Sequence, residues 1–316
     1  MSAQSGNRWT IVLSGGDGER MRPFIQRWLG YPRPKQYCAF TGRRTMLEHT
    51  FDRAVLASGD RRVVTVLNRD HGQFLRRPRR LHYPGRLIAQ PVRRDTGPGV
   101  FLPLTAVTAM DPDALVAIMP SDHFIHPKAR FQKVMDEAFR LAEFLPGQIV
   151  LLAARPDSAE PDYGWIDPGS RLSGSRASLV SRFKEKPKAE EASELHARGC
   201  LWNTMIVVAR AGALWDLARA HQPEMIRRFE ALRPWIGMAE ETDAVELAYR
   251  NMPSVNFSRD FLERVADWTV VLPMHGVHWS DWGRPERVEQ TLNAIGERSA
   301  FPSEALQPAG LATAAC

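Results

Sequence analysis

The chain has 316 residues, of which 44% are hydrophobic and 25% are charged. These proportions are typical of globular proteins and argue against the disordered, collagen-like and coiled-coil classes. The longest apolar runs fall far short of the ~20 residues that a membrane-spanning helix needs. The first ten residues lack the basic start and apolar stretch of a signal peptide. We therefore expect a cytoplasmic protein without a membrane partner.

Charge and cysteine content narrow the chemistry further. Basic residues number 42 and acidic residues 36, and this net charge of +6 favours anionic partners. Only six of the basic residues are lysine, so a lysine is the rarer choice in this chain. The three cysteines are too few and too widely spaced for a disulfide framework or a zinc site. They are interpreted as structural thiols: Cys38, Cys200 and Cys316.

Short apolar runs alternate with helical patterns along the first half of the chain, which predicts an α/β fold. The predicted strands are Trp9–Leu13, Arg62–Leu67, Leu87–Gln90, Leu115–Met119 and Gln148–Ala153. The predicted helices are Thr45–Ala57, which opens with a capping-box pattern, and Ala129–Phe144. Helices that connect short apolar strands imply a doubly wound, mostly parallel sheet, whose ligands lie beyond the carboxyl ends of the strands.

The pattern changes after about residue 160, where a turn-rich stretch covers residues 162–174. Further predicted strands are Leu179–Lys186, Leu201–Ala209 and Thr269–Leu272. Further predicted helices are Leu214–Arg219, Met225–Leu232 and Ala244–Tyr249. We therefore expect one half over residues 1–160, a second, smaller lobe over 161–296 and a loosely ordered tail over 297–316.

A glycine-rich loop, Ser14–Pro23, follows the first strand and contains two arginines. Glycine lets backbone amides approach an anion closely, and Arg20 and Arg22 can add charge-assisted contacts. The loop fits neither the dinucleotide fingerprint nor the P-loop, so a simple tight turn is an equal alternative. Lys35 follows in a second loop, where a compact ammonium suits a phosphate. Taken alone, such a lysine is more often a solvated surface charge.

Two aspartates follow apolar strands far apart in the sequence. Asp122 lies just beyond the strand that ends at Met119, after Pro120 and Ser121, and Asp281 follows a short strand near the end of the chain. Paired carboxylates with phosphate and water as further ligands are what Mg²⁺ prefers, although a turn or helix cap explains Asp122 equally well. The Asp111–Asp113 motif precedes a strand, so it is interpreted as a turn.

A cluster of arginines raises the alternative of a polyanion-binding protein. Few aromatic residues lie among them and no nucleic-acid-binding pattern is present, so we favour a solvated face or a phosphate-facing rim. The cluster consists of Arg76, Arg77, Arg79, Arg80, Arg86, Arg93 and Arg94.

Eight segments, in order, give the chain a specific likeness. They are LSGGDGERMRP, RPKQ, AQPVRRDTGPG, MPSDHFI, DYGWI, FKEKP, LWNT and WSDWG. Together they extend from about Ile11 to Gly283, and this set resembles the sugar nucleotidyltransferase family, above all its mannose-1-phosphate guanylyltransferases. The resemblance implies a Rossmann-like sheet with a nucleotide-binding half and a sugar-binding half. It also implies a reaction of a nucleoside triphosphate with a sugar 1-phosphate that yields a nucleotide sugar and pyrophosphate.

The resemblance also implies roles for individual residues, carried over motif by motif. The implied catalytic residues are Arg20, Lys35, Asp122 and Lys186, of which Lys186 meets the sugar phosphate. The implied nucleotide-binding residues are Gly15, Gly16, Gly18, Gln90, Asp95 and Thr96. The implied sugar-binding residues are Gly164, Glu185 and Asn203, and the implied ligands of Mg²⁺ are Asp122 and Asp281. The implied partners are GTP and mannose 1-phosphate rather than nucleic acid, and a homodimer is compatible with the family.

The sequence departs from the family pattern at four positions. Gln90 and Asp95 stand where the guanylyltransferases usually have glutamate and asparagine, close to the base and ribose. Met205 replaces a usual glycine, and Asn256 replaces a common aspartate. Three alternatives to an active guanylyltransferase therefore stay open. Two are a nucleotidyltransferase of other base or sugar specificity and a catalytically weak regulator that binds a nucleotide sugar. The third is the polyanion-binding protein that the arginine cluster suggests.

Overall fold

The structure is a computed structural model that describes residues 6–75 and 83–306. Its strands are β1 (Arg8–Ser14), β2 (Val63–Asn68), β3 (Arg86–Gln90), β4 (Leu115–Pro120), β5 (Phe124–His126), β6 (Ile149–Ala154), β7 (Gly164–Arg171), β8 (Ser178–Glu185), β9 (Leu201–Arg210), β10 (Thr269–Pro273) and β11 (His278–Ser280). Its α-helices are α1 (Arg22–Leu29), α2 (Met46–Ser58), α3 (Gly72–Leu75), α4 (Thr96–Met110), α5 (Lys128–Phe144), α6 (Ala189–Ala197), α7 (Ala211–His221), α8 (Pro223–Leu232), α9 (Glu241–Tyr249) and α10 (Pro285–Ile295). The helices and strands predicted from the sequence are therefore confirmed to within a few residues.

One large sheet organises the described part of the chain. Its strand order is β3-β2-β1-β4-β9-β6-β10-β8-β7, and β5 pairs with β11 in a separate two-stranded sheet. Within the large sheet, β8 and β9 run antiparallel to the other described strands, which all point the same way. The predicted α/β fold with a mostly parallel central sheet is confirmed. The carboxyl ends of β1, β2, β3 and β4 therefore meet at one edge.

Helices cover both faces of this sheet because its strand residues alternate between two apolar cores. Ile11 faces a core that includes α4, α7, α8 and α9, whereas the next residue, Val12, packs with α2 on the other face. Helix α5 buries its apolar stripe on that second side. Helix α4 is buried from Gly97 to Thr108, as expected for a helix that is apolar on all sides. The buried helix α4 begins just after the loop that leaves the carboxyl end of β3.

The prediction of turns over residues 162–174 is wrong, because strand β7 occupies most of this stretch. Its residues pair with β8, Trp165 opposite Lys184, and the first of them also pair with β9. The sequence is rich in turn-forming residues, which suggested loops. Beyond Ile166 the described partners of β7 all belong to β8, so this part of the strand is an edge, and the register shifts on both sides of Pro168. An edge strand with irregular pairing tolerates such residues, and that tertiary context is invisible in the local sequence.

The predicted loose tail is also wrong for its first part. Phe301 is buried and packs edge-on against Phe24 and Trp28. The amide of Ala300 donates a hydrogen bond of 2.8 Å to the carbonyl of Phe40. These contacts anchor the segment after α10 to α1, while residues 307–316 lie outside the described residues.

The structure covers only part of the predicted arginine cluster and two of the three cysteines. Four of the clustered arginines, Arg76, Arg77, Arg79 and Arg80, and also Cys316, lie outside the described residues. Cys38 and Cys200 are buried free thiols. Among the described helices, none is long and apolar enough to cross a membrane. The division into residues 1–160 and 161–296 stays a prediction, and strands from both ranges share the large sheet.

The start of α2 gives a test of the local folding signals. The Thr45 hydroxyl accepts a hydrogen bond of 3.2 Å from the Glu48 amide, and the Glu48 carboxylate accepts one of 2.6 Å from the Thr45 amide. We expect Thr45→Ala to lower the free energy of unfolding by about 1 kcal/mol, since an unsatisfied helix amide results. Urea unfolding measures this change. Ser173→Ala, in an exposed turn, serves as the control, and an equal loss there would contradict the assignment to the cap.

Candidate functional site

A charged cluster lies at the carboxyl-end edge of the sheet, around the side chain of Lys35. This side chain is buried, although lysines usually reach solvent. Its ammonium lies 3.1 Å from Oδ2 of Asp122 and donates to the backbone carbonyl of Asp281. Arg20 donates a hydrogen bond of 2.9 Å to Oδ2 of Asp281. The structure therefore brings four predicted site residues together, although their numbers extend from 20 to 281.

Asp281 is the most strongly held carboxylate of this cluster. Its Oδ1 accepts hydrogen bonds from the Tyr163 hydroxyl and from the amide of Gly283, the latter at 2.9 Å. Burial alone would raise the pKa of Asp281, but Lys35 and the Tyr163 hydrogen bond outweigh it and hold the pKa at about 2.

Asp122 follows the same logic. Desolvation would raise its pKa, but Lys35 and then His123 outweigh this effect and lower the pKa. Both carboxylates are therefore ionised at neutral pH. The Lys35 ammonium pairs with the Asp122 carboxylate, whereas the Asp281 carboxylate pairs with Arg20.

The glycine-rich loop passes directly over the end of the sheet. The space between loop and sheet is too small for side chains at two of its positions. A Cβ atom on Gly15 would lie 2.8 Å from Nε2 of Gln90 and 3.3 Å from Oδ1 of Asn68. Gly18 has a φ of +62° and its Cβ would lie 3.1 Å from the backbone nitrogen of Lys35. These glycines allow the loop to approach the sheet and the lysine closely.

Side chains from neighbouring elements hold the carbonyl groups of this loop. Nε2 of Gln36 donates to the carbonyls of Ser14 and Gly16, at 3.2 Å and 2.7 Å. Nδ2 of Asn68 donates to the carbonyl of Gly15 at 2.7 Å. The loop is thus fixed from its sheet side before any ligand binds.

A second set of contacts fixes the side chain of Asp17 at the tip of the loop. The buried ring of His71 lies 3.3 Å from the Ser14 carbonyl through Nδ1 and 3.1 Å from Oδ1 of Asp17 through Nε2. Arg93 donates to Oδ2 of Asp17 at 2.7 Å. Arg93, one of the clustered arginines of the sequence, therefore belongs to the rim of the glycine-rich loop.

Gln90 lies beneath the glycine-rich loop with its amide engaged inside the protein. Its Oε1 accepts a hydrogen bond of 3.0 Å from the Tyr249 hydroxyl, and its Nε2 donates to Asn68 at 3.4 Å. Tyrosine is protonated at neutral pH, and burial raises the pKa of Tyr249 further, so its hydroxyl acts as the donor. Gln90 therefore couples β3 to the loop on β1 and to helix α9.

Asp95 and Thr96 form the N-terminus of α4, next to the segment that contains Asn256. The Asp95 carboxylate accepts from the Thr96 amide at 2.7 Å and from the Asn256 side chain at 3.2 Å. The Thr96 hydroxyl accepts from the Phe257 amide at 2.8 Å. Two of the departures from the family pattern, Asp95 and Asn256, are thus hydrogen-bonded to each other. In this chain a carboxylate at position 95 meets an amide at position 256.

The three predicted sugar-binding residues meet at one point. A Cβ on Gly164 would lie 2.6 Å from Oε2 of Glu185 and 3.1 Å from Cβ of Asn203, so only glycine fits there. Burial raises the pKa of Glu185 to about 7, an effect that Lys186 opposes and Glu263 strengthens. This pocket therefore holds a carboxyl group that is poised between its two protonation states at neutral pH.

Tyr163 connects the sugar-side residues with the charged cluster. Its hydroxyl donates to Asp281, while its backbone carbonyl accepts from the Lys186 amide at 3.1 Å. Lys186 has a φ of +45°, so its backbone turns away at the end of β8 and its side chain is exposed. Met205 also has a positive φ, of +59°, which explains why glycine is favoured at that position.

Comparison with known proteins identifies the family of the chain. A family model described as "Nucleotidyl transferase" matches residues 9–296. The chain belongs to the nucleotidyl transferase family. The Xanthan biosynthesis protein XanB of Xanthomonas campestris pv. campestris is 28% identical over 304 residues, which cover 94% of this chain and 62% of that protein. The mannose-1-phosphate guanylyltransferase of Klebsiella pneumoniae is 27% identical over 286 residues, which cover 86% of this chain and 57% of that protein.

A solved structure gives the same result for the fold. It is named mannose-1-phosphate geranyltransferase and comes from Thermus thermophilus. Its TM-score to this chain is 0.76 at 26% sequence identity, with 90% of this chain and 79% of that chain covered. Our chain therefore has the same fold as the Thermus thermophilus protein. It spans less than two thirds of the length of the relatives from Xanthomonas campestris and Klebsiella pneumoniae.

Several residues of this nucleotidyl transferase that hold the site through hydrogen bonds carry no recognisable signal in the sequence. Tyr163 lay within a quoted motif without a role, and Gln36, Asn68, His71 and Tyr249 had none. A polar residue at the carboxyl end of β2, Asn68, is the one position that strand edges alone point to. The others act through contacts between distant segments.

The protonation of Glu185 gives a test with a defined sign. Its pKa is raised in the folded state, so between about pH 4.5 and pH 7 the folded state binds more protons than the unfolded state. The free energy of unfolding should therefore fall as pH rises through this window. We expect Glu185→Gln to remove a fall on the order of 2 kcal/mol, allowing for solvent screening.

The measurement is urea unfolding of both proteins from pH 4.5 to pH 8. Glu289→Gln, at an exposed position of α10, is the control and should follow the wild-type curve. If the wild type and Glu185→Gln differ by a constant amount across the window, Glu185 does not titrate there.

Proposed function

We propose that the protein transfers a nucleotidyl group from GTP to mannose 1-phosphate, releasing pyrophosphate and forming GDP-mannose. The buried Lys35 between Asp122 and Asp281, with Arg20 and the glycine-rich loop beside it, is the observation that carries the proposal. This charged cluster places cations that can bind phosphate groups next to ionised carboxylates that can bind a metal ion. The names of the relatives from Klebsiella pneumoniae and Thermus thermophilus support mannose 1-phosphate as the acceptor.

The proposed reaction needs no nucleophile from the protein. A phosphate oxygen of the sugar 1-phosphate attacks the α-phosphorus in line, the bond from that phosphorus to the bridging oxygen breaks, and pyrophosphate leaves with the electron pair. Catalysis then consists of positioning and charge neutralisation. Lys35 and Arg20 neutralise the triphosphate, and Lys186 binds the sugar phosphate. Glu185 and Asn203 hydrogen-bond the sugar hydroxyl groups.

Mg²⁺ is the proposed cofactor, and the donor set fits it. Among the described residues no group of three or more metal-binding side chains is assembled. Mg²⁺ does not need one, because it usually takes one or two carboxylates and completes its shell with phosphate and water. Asp122 and Asp281 are both ionised, as their lowered pKa values indicate, and together they supply the two carboxylates. The bound ion would neutralise charge on the phosphate groups.

The choice of nucleobase depends on the surroundings of Gln90. Gln90 supports the glycine-rich loop through Asn68 and is fixed by Tyr249, so its amide replaces the usual glutamate without an unpaired charge.

Among the described clustered arginines, Arg86 pairs with Glu241 and Arg93 with Asp17, which weakens the polyanion-binding alternative. The proposal includes a cytoplasmic location and a homodimer.

A grid of GTP, ATP, CTP and UTP against several sugar 1-phosphates tests the proposed pair by pyrophosphate release. We expect the highest kcat/KM with GTP and mannose 1-phosphate, since a buried hydrogen-bonding edge for the base discriminates by orders of magnitude. A maximum with another base or sugar would contradict the proposed pair and retain the enzyme class. Binding of nucleotide sugar without turnover of any pair would favour the regulator.

The two carboxylates have a separate test. We expect Asp122→Asn and Asp281→Asn each to lower kcat at least ~100-fold, because each removes a charged ligand of Mg²⁺. Chelation of Mg²⁺ should abolish wild-type turnover. Asp113→Asn, in the turn before β4, is the matched control and should keep wild-type rates. Near-normal turnover of either site variant in excess Mg²⁺ would exclude the proposed metal site.

Lys35 is tested by the change to the other cation. We expect Lys35→Arg to lose most of kcat/KM, because the planar guanidinium does not fit the buried space between Asp122 and the Asp281 carbonyl. Lys188→Arg, at an exposed position before α6, is the matched control. Retention of most activity by Lys35→Arg would show that charge alone is enough.

A further inference from the structure

A cavity lies beside the charged cluster. Its volume is about 430 Å³, which suits a small molecule. The walls come from the loop after Phe40, from α2, from β5 and from the end of α10. Among the described residues that line it, none is Arg20, Lys35, Asp122 or Asp281. The cavity is therefore separate from the proposed active site, although His123 and Trp282 adjoin both.

The guanidinium of Arg53 forms the most unusual part of its wall. Arg53 is only 4% exposed. It donates to the Thr50 hydroxyl at 2.6 Å and to the His123 carbonyl at 3.3 Å, and its Nε has no hydrogen-bond partner among the described residues. Burial lowers the pKa of Arg53 to about 10, so the group stays charged at neutral pH. The described hydrogen-bond acceptors of this buried cation are neutral oxygens, and the charge of the adjacent Asp52 only partly offsets its desolvation.

The other charged residues of the cavity wall are also mainly positive. Arg43, Arg44 and Lys128 line it together with Arg53, and Glu297 is the acidic lining residue. Asp52 lies next to the wall and pairs with both Arg44 and Lys128. Four fixed positive charges thus face two carboxylates. This excess matches an anion with more than one negative charge.

An apolar floor completes the cavity. It includes Phe40, Phe124 and Trp282, and the last two rings stack with their centroids 4.5 Å apart. A cationic wall above aromatic rings is suited to a ligand with a charged group and an organic body. Phosphate esters combine these two features, and their oxygens accept charge-assisted hydrogen bonds from several cations at once.

We propose that this cavity is a second ligand site, which binds the phosphate group of a small phosphorylated organic molecule with Arg53 as its buried anchor. Arg44 and Lys128 contribute further positive charge at the mouth. The ligand's organic part lies against Phe124. The site is independent of the substrate pair proposed above, because none of the described lining residues is assigned to that reaction.

Calorimetric titration of the full chain with glycerol 3-phosphate and with inorganic phosphate, at constant ionic strength, tests the proposal. Arg53→Met should weaken glycerol 3-phosphate binding at least tenfold, since methionine keeps the apolar contacts but removes the charge. Arg8→Met is the matched control, because Arg8 is a partly buried arginine that pairs with Asp136 at 3.1 Å at the opposite end of β1. It should bind within twofold of the wild type.

Lys35→Gln separates this site from phosphate binding at the active site. Binding that survives in Lys35→Gln and is lost in Arg53→Met supports the proposal, whereas the reverse result overturns it. Should Arg53→Met fail to fold, the exposed Lys128→Gln replaces it, with an expected threefold weakening and unchanged affinity as the contradicting result. Glycerol 3-phosphate should bind more tightly than inorganic phosphate. Tighter binding of inorganic phosphate would show that the organic part is not recognised.

Discussion

The ammonium of Lys35 is the contact on which the arrangement of the charged cluster depends. It reaches the Asp122 carboxylate and the Asp281 carbonyl, and so joins a loop near the start of the chain to segments after β4 and β11. Ionised groups buried together are tolerated only when they are paired, and removing one partner leaves an uncompensated charge. Lys35 therefore has a structural consequence as well as a proposed chemical one. The sheet edge is shaped around a cation that the protein itself supplies.

Tyr163 extends this constraint to the other side of the site. Its hydroxyl holds Asp281 and its carbonyl holds the amide of Lys186, whose left-handed backbone ends β8. Such a backbone in a residue other than glycine costs about 1–3 kcal/mol and persists where surrounding contacts fix it. A shift of Asp281 would therefore be transmitted to the residues beside Glu185. The nucleotide side and the sugar side of the proposed site share one tyrosine.

Sequence patterns predicted what depends on composition and on strand ends. Apolar runs located β1, β2 and β4, and the rarity of lysine directed attention to Lys35. The patterns failed where a contact joins distant segments: strand β7 forms because β8 and β9 lie beside it, and Phe301 is buried because α1 provides a surface. The hydrogen bonds of His71 to the glycine-rich loop, 54 to 57 positions away, belong to the same class. The local secondary-structure propensity of a segment does not depend on partners that are distant in the sequence.

The excess of positive charge in the composition has two different outcomes in the folded protein. At the charged cluster, Lys35 lies against Asp122 and Arg20 against Asp281, so cations and carboxylates balance before a substrate arrives. At Arg53 the described hydrogen-bond partners are a hydroxyl and a carbonyl, and the adjacent Asp52 pairs with Arg44 and Lys128 instead. A balanced cluster can exchange a carboxylate for a phosphate with little net change in buried charge. Arg53 has no carboxylate among its described hydrogen-bond partners, so a bound anion would add the partner that it lacks. This difference distinguishes the charged cluster from the proposed phosphate site.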